Sequence, residues 1–357
     1  MAVLHIPKAR FDPFNKARTV KIRGRFDNKM VGRVGIQIRV LQTSTEPITL
    51  DIDSMGGDVK ALDQIHEILM LKLRGLRCPI ITVVRNLAGS CAADLLSIGD
   101  FIYAFEGAKI HFHGTSCPSR ERLTAGYCQS LAYNLRQSDH TQSEKLLAGR
   151  VNRLHRRYVE NKTAIESSAK HTKPKIEAFA ELLAKNVETD TAKKIIHETI
   201  EIMQQQKALA DEFLPKASRK SGKEFELAIH NAILKSKLEK SGKGVTLDMS
   251  EEAAYDFYLF KEFFTGRHNS FTVELMQIAA RDFLSATILK DLGSKKPSAK
   301  ARGKLMALYN DQIRDLLFFA AVLCMVLFTD ENPLTPRDAY WLGIVDKVLP
   351  VKSSGTS

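Results

Sequence analysis

The fold is decided by residues 78–99, which read CPIITVVRNLAGSCAADLLSIG. Their first part is apolar and rich in β-branched residues, which is typical of a fully buried strand. Small residues around Ser90 then lead into a helical pattern over 92–98 that ends at Gly99. At such a turn the serine lies at the N-terminus of a helix, where free backbone N–H groups can bind a developing oxyanion. With His113 downstream, the pattern predicts a nucleophile elbow with a base nearby, although the G-x-S-x-G sequence is absent.

A second strand-to-helix turn points to the same region. Residues 48–53 alternate as a strand does, and the sequence Ser-Met-Gly-Gly-Asp follows at 54–58. From Val59 to Leu69, apolar residues then recur at helical spacing. The paired glycines allow unusual backbone angles and expose N–H groups beside a ligand. Taken alone this turn is an ordinary loop, but it lies one strand–helix unit before Ser90 and so becomes part of the same candidate site.

These elements resemble the Clp peptidase group of the ClpP/crotonase superfamily, especially its phage- and plasmid-type members. The resemblance follows the order and spacing of motifs from about residue 18 to 113 and again from about 328 to 350, roughly a third of the chain. It implies an α/β fold in which β-β-α units form a ClpP/crotonase-like spiral, rather than a Rossmann sheet, with a long mostly helical insertion. The matching stretches keep the family's order of glycine turn, serine and histidine, and lie at 18–27, 53–59, 89–90, 99–100, 108–113 and 334–346.

The resemblance also implies an activity, that of a serine peptidase (a serine endopeptidase) that hydrolyses peptide bonds through a Ser-His-Asp/Glu triad. Ser90 would be the nucleophile, and His113 the general base that takes its proton. The backbone N–H groups of Gly57 and Cys91 would form the oxyanion hole, and losing one such donor typically costs about 3–4 kcal/mol of transition-state stabilisation.

For both the acid and the base of this triad, a nearby residue is an alternative candidate. Counting back without gaps from Asp346 puts Glu331 at the family's acidic position, with Asp330 one residue away. Either carboxylate can orient an imidazole, and Glu331 is preferred narrowly. Strand alternation turns His111 and His113 to the same face, so both are candidates for the base, and the family register selects His113.

Three residues depart from the family pattern. Met55 stands where a proline is usual, Asn86 where a glycine is usual, and Cys91 follows the nucleophile. The first two could reshape the oxyanion loop, whereas the thiol of Cys91 is expected to matter little. None of the three removes a catalytic group. The alternatives are a catalytically silent ClpP-fold assembly or binding scaffold, and acyl-CoA thioester chemistry, which the pairing of Ser90 with His113 disfavours.

The middle of the chain is the largest departure from the family. We predict a discontinuous catalytic domain of residues 1–113 and 329–357, interrupted by a helical insertion at 114–328. The insertion carries 34 Lys and Arg against 26 Asp and Glu. We interpret its mixed-sign charges, including the arginines at 150, 153, 156 and 157, as mostly a solvated helix face rather than a nucleic-acid groove. We expect this segment to form a helical cap or oligomerisation arm next to the active site, with helices near 121–166, 175–213, 222–240, 250–266, 270–290 and 300–328.

Composition indicates a globular protein and its expected cellular compartment. The 357 residues carry a net charge of +12, with 44% hydrophobic and 26% charged residues, which indicates a globular protein. Five cysteines without a C-x-x-C pair favour a reduced, cytoplasmic protein. The N-terminus lacks the apolar core of a secretory signal, and the apolar run from Leu316 to Phe328 is too short to span a bilayer. That run is expected to be a buried helix or an oligomer contact.

No cofactor is expected. The sequence has neither a dinucleotide-binding glycine pattern nor a P-loop, so an ATPase unfoldase, if one is involved, would be a separate chain. The spacing of His111 and His113 does not match a recognisable metal-ligand pattern. The expected partners are a protein or peptide substrate and further copies of this chain as a homo-oligomer, and neither a nucleic acid nor a membrane is expected.

Overall fold

A computed structural model describes residues 15–71, 78–116, 124–169, 174–213, 251–265, 268–280, 284–309 and 313–350. The chain divides into two compact units. One unit takes the residues up to Ile196 and those from Leu323 onward, and the other runs from His197 to Val322. The division into a catalytic domain and an insertion at 114–328 stays a prediction, because compactness alone does not identify a catalytic domain.

A mostly parallel sheet forms the first unit. Seven strands of the described residues belong to it. They are β1 (Thr19–Arg23), β2 (Ile48–Ser54), β3 (Ile80–Gly89), β4 (Phe101–Phe105), β5 (Lys109–Phe112), β6 (Asn332–Leu334) and β7 (Lys347–Leu349). The order β1-β2-β3-β4-β7 is parallel throughout, β5 is parallel to β3, and β6 is antiparallel to β5.

Strand β3 changes its partner along its length. Residues 81–84 pair with β4, whereas residues 87–89 pair with β5. On the other side β2 stays beside β3, with a register irregularity between Ile52 and Ser54. Because parallel strands end at the same edge of a sheet, the segments that follow β2 and β3 meet the end of β5. This edge is where the candidate site lies.

Helices lie against the sheet and make up most of the remaining described residues. In the described residues they are α1 (Asn28–Leu41), α2 (Val59–Leu69), α3 (Cys91–Ser97), α4 (Ala125–Glu160), α5 (Lys162–Ser168), α6 (Lys175–Asn186), α7 (Asp190–Phe213), α8 (Glu251–Thr265), α9 (Ser270–Ala280), α10 (Ala286–Leu292), α11 (Ala299–Leu308), α12 (Arg314–Val326) and α13 (Pro336–Trp341).

The predicted α/β class is confirmed, and so is most of the helical periodicity. The predicted helix near 250–266 is α8, while those near 121–166, 175–213, 270–290 and 300–328 each appear as two shorter helices. The predicted helix at 222–240 lies outside the described residues. Helix α2 begins where expected because the side chain of Asp58 accepts a hydrogen bond from the N–H of Lys60 at 2.9 Å and so caps the helix.

The longest helix, α4, corrects one sequence interpretation. The arginines at 150, 153, 156 and 157 were expected to form a solvated face. Arg150, Arg153 and Arg157 are instead 1%, 4% and 3% exposed, and only Arg156 faces solvent among the four. Sequence reasoning failed here because a guanidinium can be buried when carbonyl and carboxylate oxygens satisfy its donors.

For Arg153 and Arg157, some of those oxygens belong to the segment before β7. Arg153 donates to the carbonyl of Gly343 at 2.9 Å and lies 3.6 Å from the carboxylate of Asp346. Arg157 donates to the carbonyl of Val345 at 2.7 Å. Burial is the main reason that the pKa of Arg157 falls to about 10, which leaves the guanidinium charged at neutral pH. These arginines therefore join α4 to the last part of the sheet.

We expect Arg153→Ala to lower the free energy of unfolding by about 3 kcal/mol, because it leaves buried oxygens without their donor. Arg156→Ala is the matched control, since Arg156 contacts Asp346 from the solvent side, and its effect should stay within about 0.5 kcal/mol. The single tryptophan, Trp341, lies in the first unit, so its fluorescence during urea unfolding follows that unit. Equal effects of the two substitutions would contradict the structural role of Arg153.

The second unit contains an aromatic cluster. Its members are phenylalanines of α8 and α12, and the ring of Phe318 lies 5.3 Å from Phe260 and 5.1 Å from Phe263 between centroids. The apolar run from Leu316 to Phe328 is buried along nearly all of its length, as expected for a buried helix. Within the described ranges, we find no helix with the length and apolarity that crossing a membrane requires.

Candidate active site

Ser90 occupies a strained turn between β3 and α3. Its backbone has φ 52° and ψ −129°, and no other non-glycine residue in the described part of the chain has a positive φ. This conformation costs an L-residue about 1–2 kcal/mol. The N–H of Ser90 donates to the carbonyl of His111 at 2.8 Å, and its carbonyl accepts from Ala93 at 2.7 Å, so both ends of the turn are held. The side chain does not cap α3, which leaves the hydroxyl available for chemistry.

The paired-glycine turn lies directly against this elbow. Gly56 has φ 91°, and a Cβ atom there would lie 2.6 Å from the carbonyl oxygen of Gly89 and 2.7 Å from Cβ of Ser90. The position therefore requires glycine both for its conformation and for its close approach. The structure therefore brings the two turns into contact, while their shared role as a catalytic site stays a prediction.

Two backbone N–H groups beside Ser90 take no part in the backbone hydrogen-bond network. Within the part of the chain that the structure describes, neither Gly57 nor Cys91 donates its N–H to a backbone carbonyl. The N atom of Cys91 lies 2.9 Å from the position that a Cβ on Gly56 would take. This N–H therefore lies where the glycine turn contacts the Ser90 elbow. Free amides at a helix N-terminus and a glycine turn can stabilise a negatively charged oxygen.

The thiol of Cys91 has a larger role than the sequence suggested. It donates to the carbonyl of Gly57 at 3.3 Å and also hydrogen bonds with the side chain of Ser90. Burial, reinforced by the nearby carboxylate of Asp94, raises the pKa of this thiol to about 11. A thiol with that pKa stays protonated at neutral pH, so Cys91 ties α3 to the glycine turn and is a poor nucleophile.

We expect Gly56→Ala to destabilise the first unit by about 3 kcal/mol or more, because the methyl group must displace backbone atoms as well as adopt a positive φ. Gly24→Ala is a matched control, since Gly24 has a similar φ of 86° but a Cβ there would meet no atom within 4 Å. Its cost should be about 1–2 kcal/mol, from conformation alone. The loss of unfolding free energy in each variant is measured by Trp341 fluorescence. Equal losses in the two variants would mean that the glycine turn does not touch the elbow.

His113 follows β5 at the same edge of the sheet. Its Nδ1 lies 2.7 Å from the carbonyl oxygen of Gly114. When Nδ1 carries the proton and donates it to this carbonyl, Nε2 is left as the acceptor that a general base needs. The imidazole of His113 and the hydroxyl of Ser90 are not hydrogen bonded to each other in the described residues, since each has the other partner named above. Such contacts commonly form only once substrate is bound.

His111 shares the face of His113, as strand alternation predicted. The residues between and before them, Ile110 and Phe112, are fully buried on the opposite face, and the two imidazole centroids are 5.9 Å apart. Nε2 of His111 is buried and has no hydrogen-bond partner among the described residues. His111 therefore stays close to the site, and the choice between the two imidazoles is a matter for experiment.

The two candidate acids precede β6. The antiparallel pairing of β5 with β6 ends at Phe112 and Asn332, so one further step along this register brings Glu331 opposite His113. Both candidate carboxylates are exposed. The carboxylate of Asp330 pairs with Lys194 at 3.3 Å, and hydrogen bonds from the N–H of Glu331 and from Lys194 lower the pKa of Asp330.

The residues that depart from the family pattern lie at the rim of the site. Asn86 donates from Nδ2 to the carboxylate of Asp53 at 3.0 Å and so links β3 to the end of β2. The side chain of Met55 is 68% exposed, immediately before the paired glycines. Neither side chain covers Ser90 in a contact that the structure describes.

Sequence reasoning missed two carboxylates near Ser90 and His113. Asp139 on α4 accepts a hydrogen bond from the N–H of Thr115 at 2.6 Å and interacts electrostatically with His113. Asp94 on α3 is buried, and desolvation raises its pKa to about 7 despite the opposing charge of Arg150. No motif marks either residue, because one lies in a short helix of small residues and the other beyond the region of family resemblance. No three His, Cys, Asp or Glu side chains of the described residues are grouped so that they could hold a metal ion.

Comparison with known proteins agrees with this geometry. Residues 8–123 match the family model of Clp protease. The match includes both turns, Ser90 and His113, and ends before α4. The predicted resemblance to Clp peptidases is therefore confirmed for residues 8–123, while the phage- and plasmid-type subgroup stays a prediction. No curated protein matches the chain.

Proposed function

Because residues 8–123 match the Clp protease family, we propose that this chain is a serine peptidase that hydrolyses peptide bonds with Ser90 as its nucleophile. The observation that carries the proposal is the strained elbow at Ser90, which lies against the paired glycines and beside two N–H groups that no backbone carbonyl accepts from in the described residues. The strained backbone at Ser90 turns the hydroxyl toward the substrate, and the hydroxyl therefore does not cap helix α3.

In the proposed reaction, the hydroxyl of Ser90 turns from the thiol of Cys91 to Nε2 of His113. His113 takes the proton as the serine oxygen attacks the peptide carbonyl. The N–H groups of Gly57 and Cys91 stabilise the oxyanion that forms. His113 then protonates the leaving amine, and the amine departs. A water molecule, activated by the same imidazole, releases the acyl group from Ser90.

Glu331 is our proposed third member of the triad, with Asp330 as the alternative. The strand register supports Glu331, because its continuation brings that residue opposite His113. The ion pair with Lys194 argues against Asp330, since it already engages that carboxylate. Because Nδ1 of His113 already donates to the carbonyl of Gly114, the proposed carboxylate acts through its charge, which stabilises the imidazolium that forms during attack.

A catalytically silent scaffold is the second candidate. The observation in its favour is that Ser90 and His113 share no hydrogen bond in the described residues. The match to a family of peptidases and the strained elbow at Ser90 favour the peptidase.

The test is covalent labelling of the wild-type protein with a fluorophosphonate probe, followed by mass spectrometry of the modified peptide. A peptidase should carry the adduct on Ser90 and should also cleave unfolded casein. An unmodified protein that leaves casein intact would support the scaffold and end the peptidase proposal.

The proposed partners are inferred from the same similarity to Clp proteases. They are a protein or peptide substrate and further copies of this chain, with an ATPase unfoldase as a possible separate chain. We propose a cytoplasmic setting and no nucleic-acid partner. Light scattering of the purified protein would test the homo-oligomer, and a single-chain mass would contradict it.

A further inference from the structure

The carboxylate of Asp139 holds the segment that follows His113. Its Oδ1 accepts the N–H of Thr115 at 2.6 Å, and the hydroxyl of Thr115 also hydrogen bonds to this carboxylate. Its Oδ2 lies 3.2 Å from the position that a Cβ on Gly114 would take. Asp139 therefore packs directly on the backbone of Gly114 and Thr115.

The group that Asp139 holds is one end of a single peptide unit. The N–H of Thr115 and the carbonyl of Gly114 belong to the same planar amide, so fixing one fixes the other. That carbonyl lies 2.7 Å from Nδ1 of His113. A continuous chain of hydrogen bonds thus runs from the carboxylate through the amide to the imidazole, and each member polarises the next.

The charge of Asp139 also reaches His113 through space. Burial raises the pKa of Asp139, while hydrogen bonds from Thr115 and the charge of His113 lower it. Other charged or titratable groups around Asp139 and His113 are Asp94 on α3 and His111 on β5, with Arg150, Lys145 and Asp63 acting on Asp94.

We propose that Asp139 is a positioning residue for the general base, acting on His113 through the Gly114–Thr115 peptide unit. The proposal rests on the proposed function, because it assigns a task to a residue of the same site. Its consequence is that a helix of the predicted insertion, α4, completes the catalytic machinery. The orientation of His113 then depends on α4 as well as on the acid before β6.

The test is the rate of fluorophosphonate labelling of Ser90, compared between two variants. Asp139→Asn keeps an oxygen that can accept from Thr115, whereas Asp139→Ala removes the acceptor. The labelling rate should fall about tenfold or more in Asp139→Ala and much less in Asp139→Asn, since only the alanine variant frees the amide.

Matched controls separate this role from general effects. Glu144→Ala truncates a carboxylate of the same helix, whose partner is His140, and should leave the labelling rate unchanged. Trp341 fluorescence checks that each variant is folded. If the alanine variant unfolds, Asp139→Leu takes its place, because it keeps the size of the side chain without an acceptor.

Two kinds of failure are distinguishable. If wild-type Ser90 is not labelled at all, the proposed function fails. If wild type is labelled and the folded variant without the acceptor is labelled at the wild-type rate, the positioning role of Asp139 is overturned. Equal losses in Asp139→Asn and Asp139→Ala would overturn it as well, because the retained amide oxygen would then make no difference.

Discussion

Ser90→Ala is expected to lower the rate of peptide hydrolysis by about four to six orders of magnitude and to abolish fluorophosphonate labelling. The substitution removes one oxygen from an elbow whose remaining contacts are made by the backbone. The N–H and carbonyl of Ser90 keep their partners, and the hydroxyl has no part in capping α3. The free energy of unfolding should therefore change by less than about 1 kcal/mol. Activity and stability are measured on the same preparation, by casein hydrolysis and by Trp341 fluorescence.

A residual activity in this variant would direct attention to Cys91. Its thiol hydrogen bonds with the side chain of Ser90, so it is the nearest other nucleophile that the structure describes. With a pKa of about 11 it should not replace the serine. Hydrolysis that persists in Ser90→Ala but disappears in Cys91→Ala would mean that the nucleophile is the thiol, and the serine mechanism would be wrong.

The parts of the site that sequence predicts are those encoded by short segments. The turn at Ser90 follows from a β-branched strand and a helix of small residues, and the turn at Gly56 follows from two consecutive glycines. Each signal lies within about ten residues, because strand burial, helix periodicity and positive φ are local preferences. The structure adds that these two turns touch, since Gly56 can carry no Cβ without meeting Ser90.

The parts that sequence misses depend on partners distant in the chain. Arg153 looks like an exposed helix residue until the carbonyl of Gly343, 190 positions away, is seen to accept from it. Asp139 bears no motif, and its role depends on a peptide unit at the end of another element. Side-chain burial against backbone oxygens leaves no periodic trace, so neither residue could have been assigned from pattern alone.

Substituting the two histidines in turn is the second experiment for which we expect a large change in activity, because only one of them can be the base. His113→Gln should lower kcat/KM by about three to four orders of magnitude, as removal of a triad base does elsewhere. His111→Gln should change it by about tenfold at most, through small shifts of the elbow. The reason for the difference is the hydrogen bond from Nδ1 of His113 to Gly114, which fixes the tautomer and leaves Nε2 to accept the serine proton.

His111 is the matched control because it has the same residue type, the same strand face and a ring 5.9 Å away. Its backbone carbonyl accepts from the N–H of Ser90, a contact that glutamine preserves. Nε2 of His111 is buried and has no hydrogen-bond partner in the described residues, so His111 is the alternative candidate for the base. Should His111→Gln produce the large loss and His113→Gln the small one, the base would be His111. The hydrogen-bond chain through Gly114 would then have no part in catalysis, because it ends on an imidazole that takes no proton.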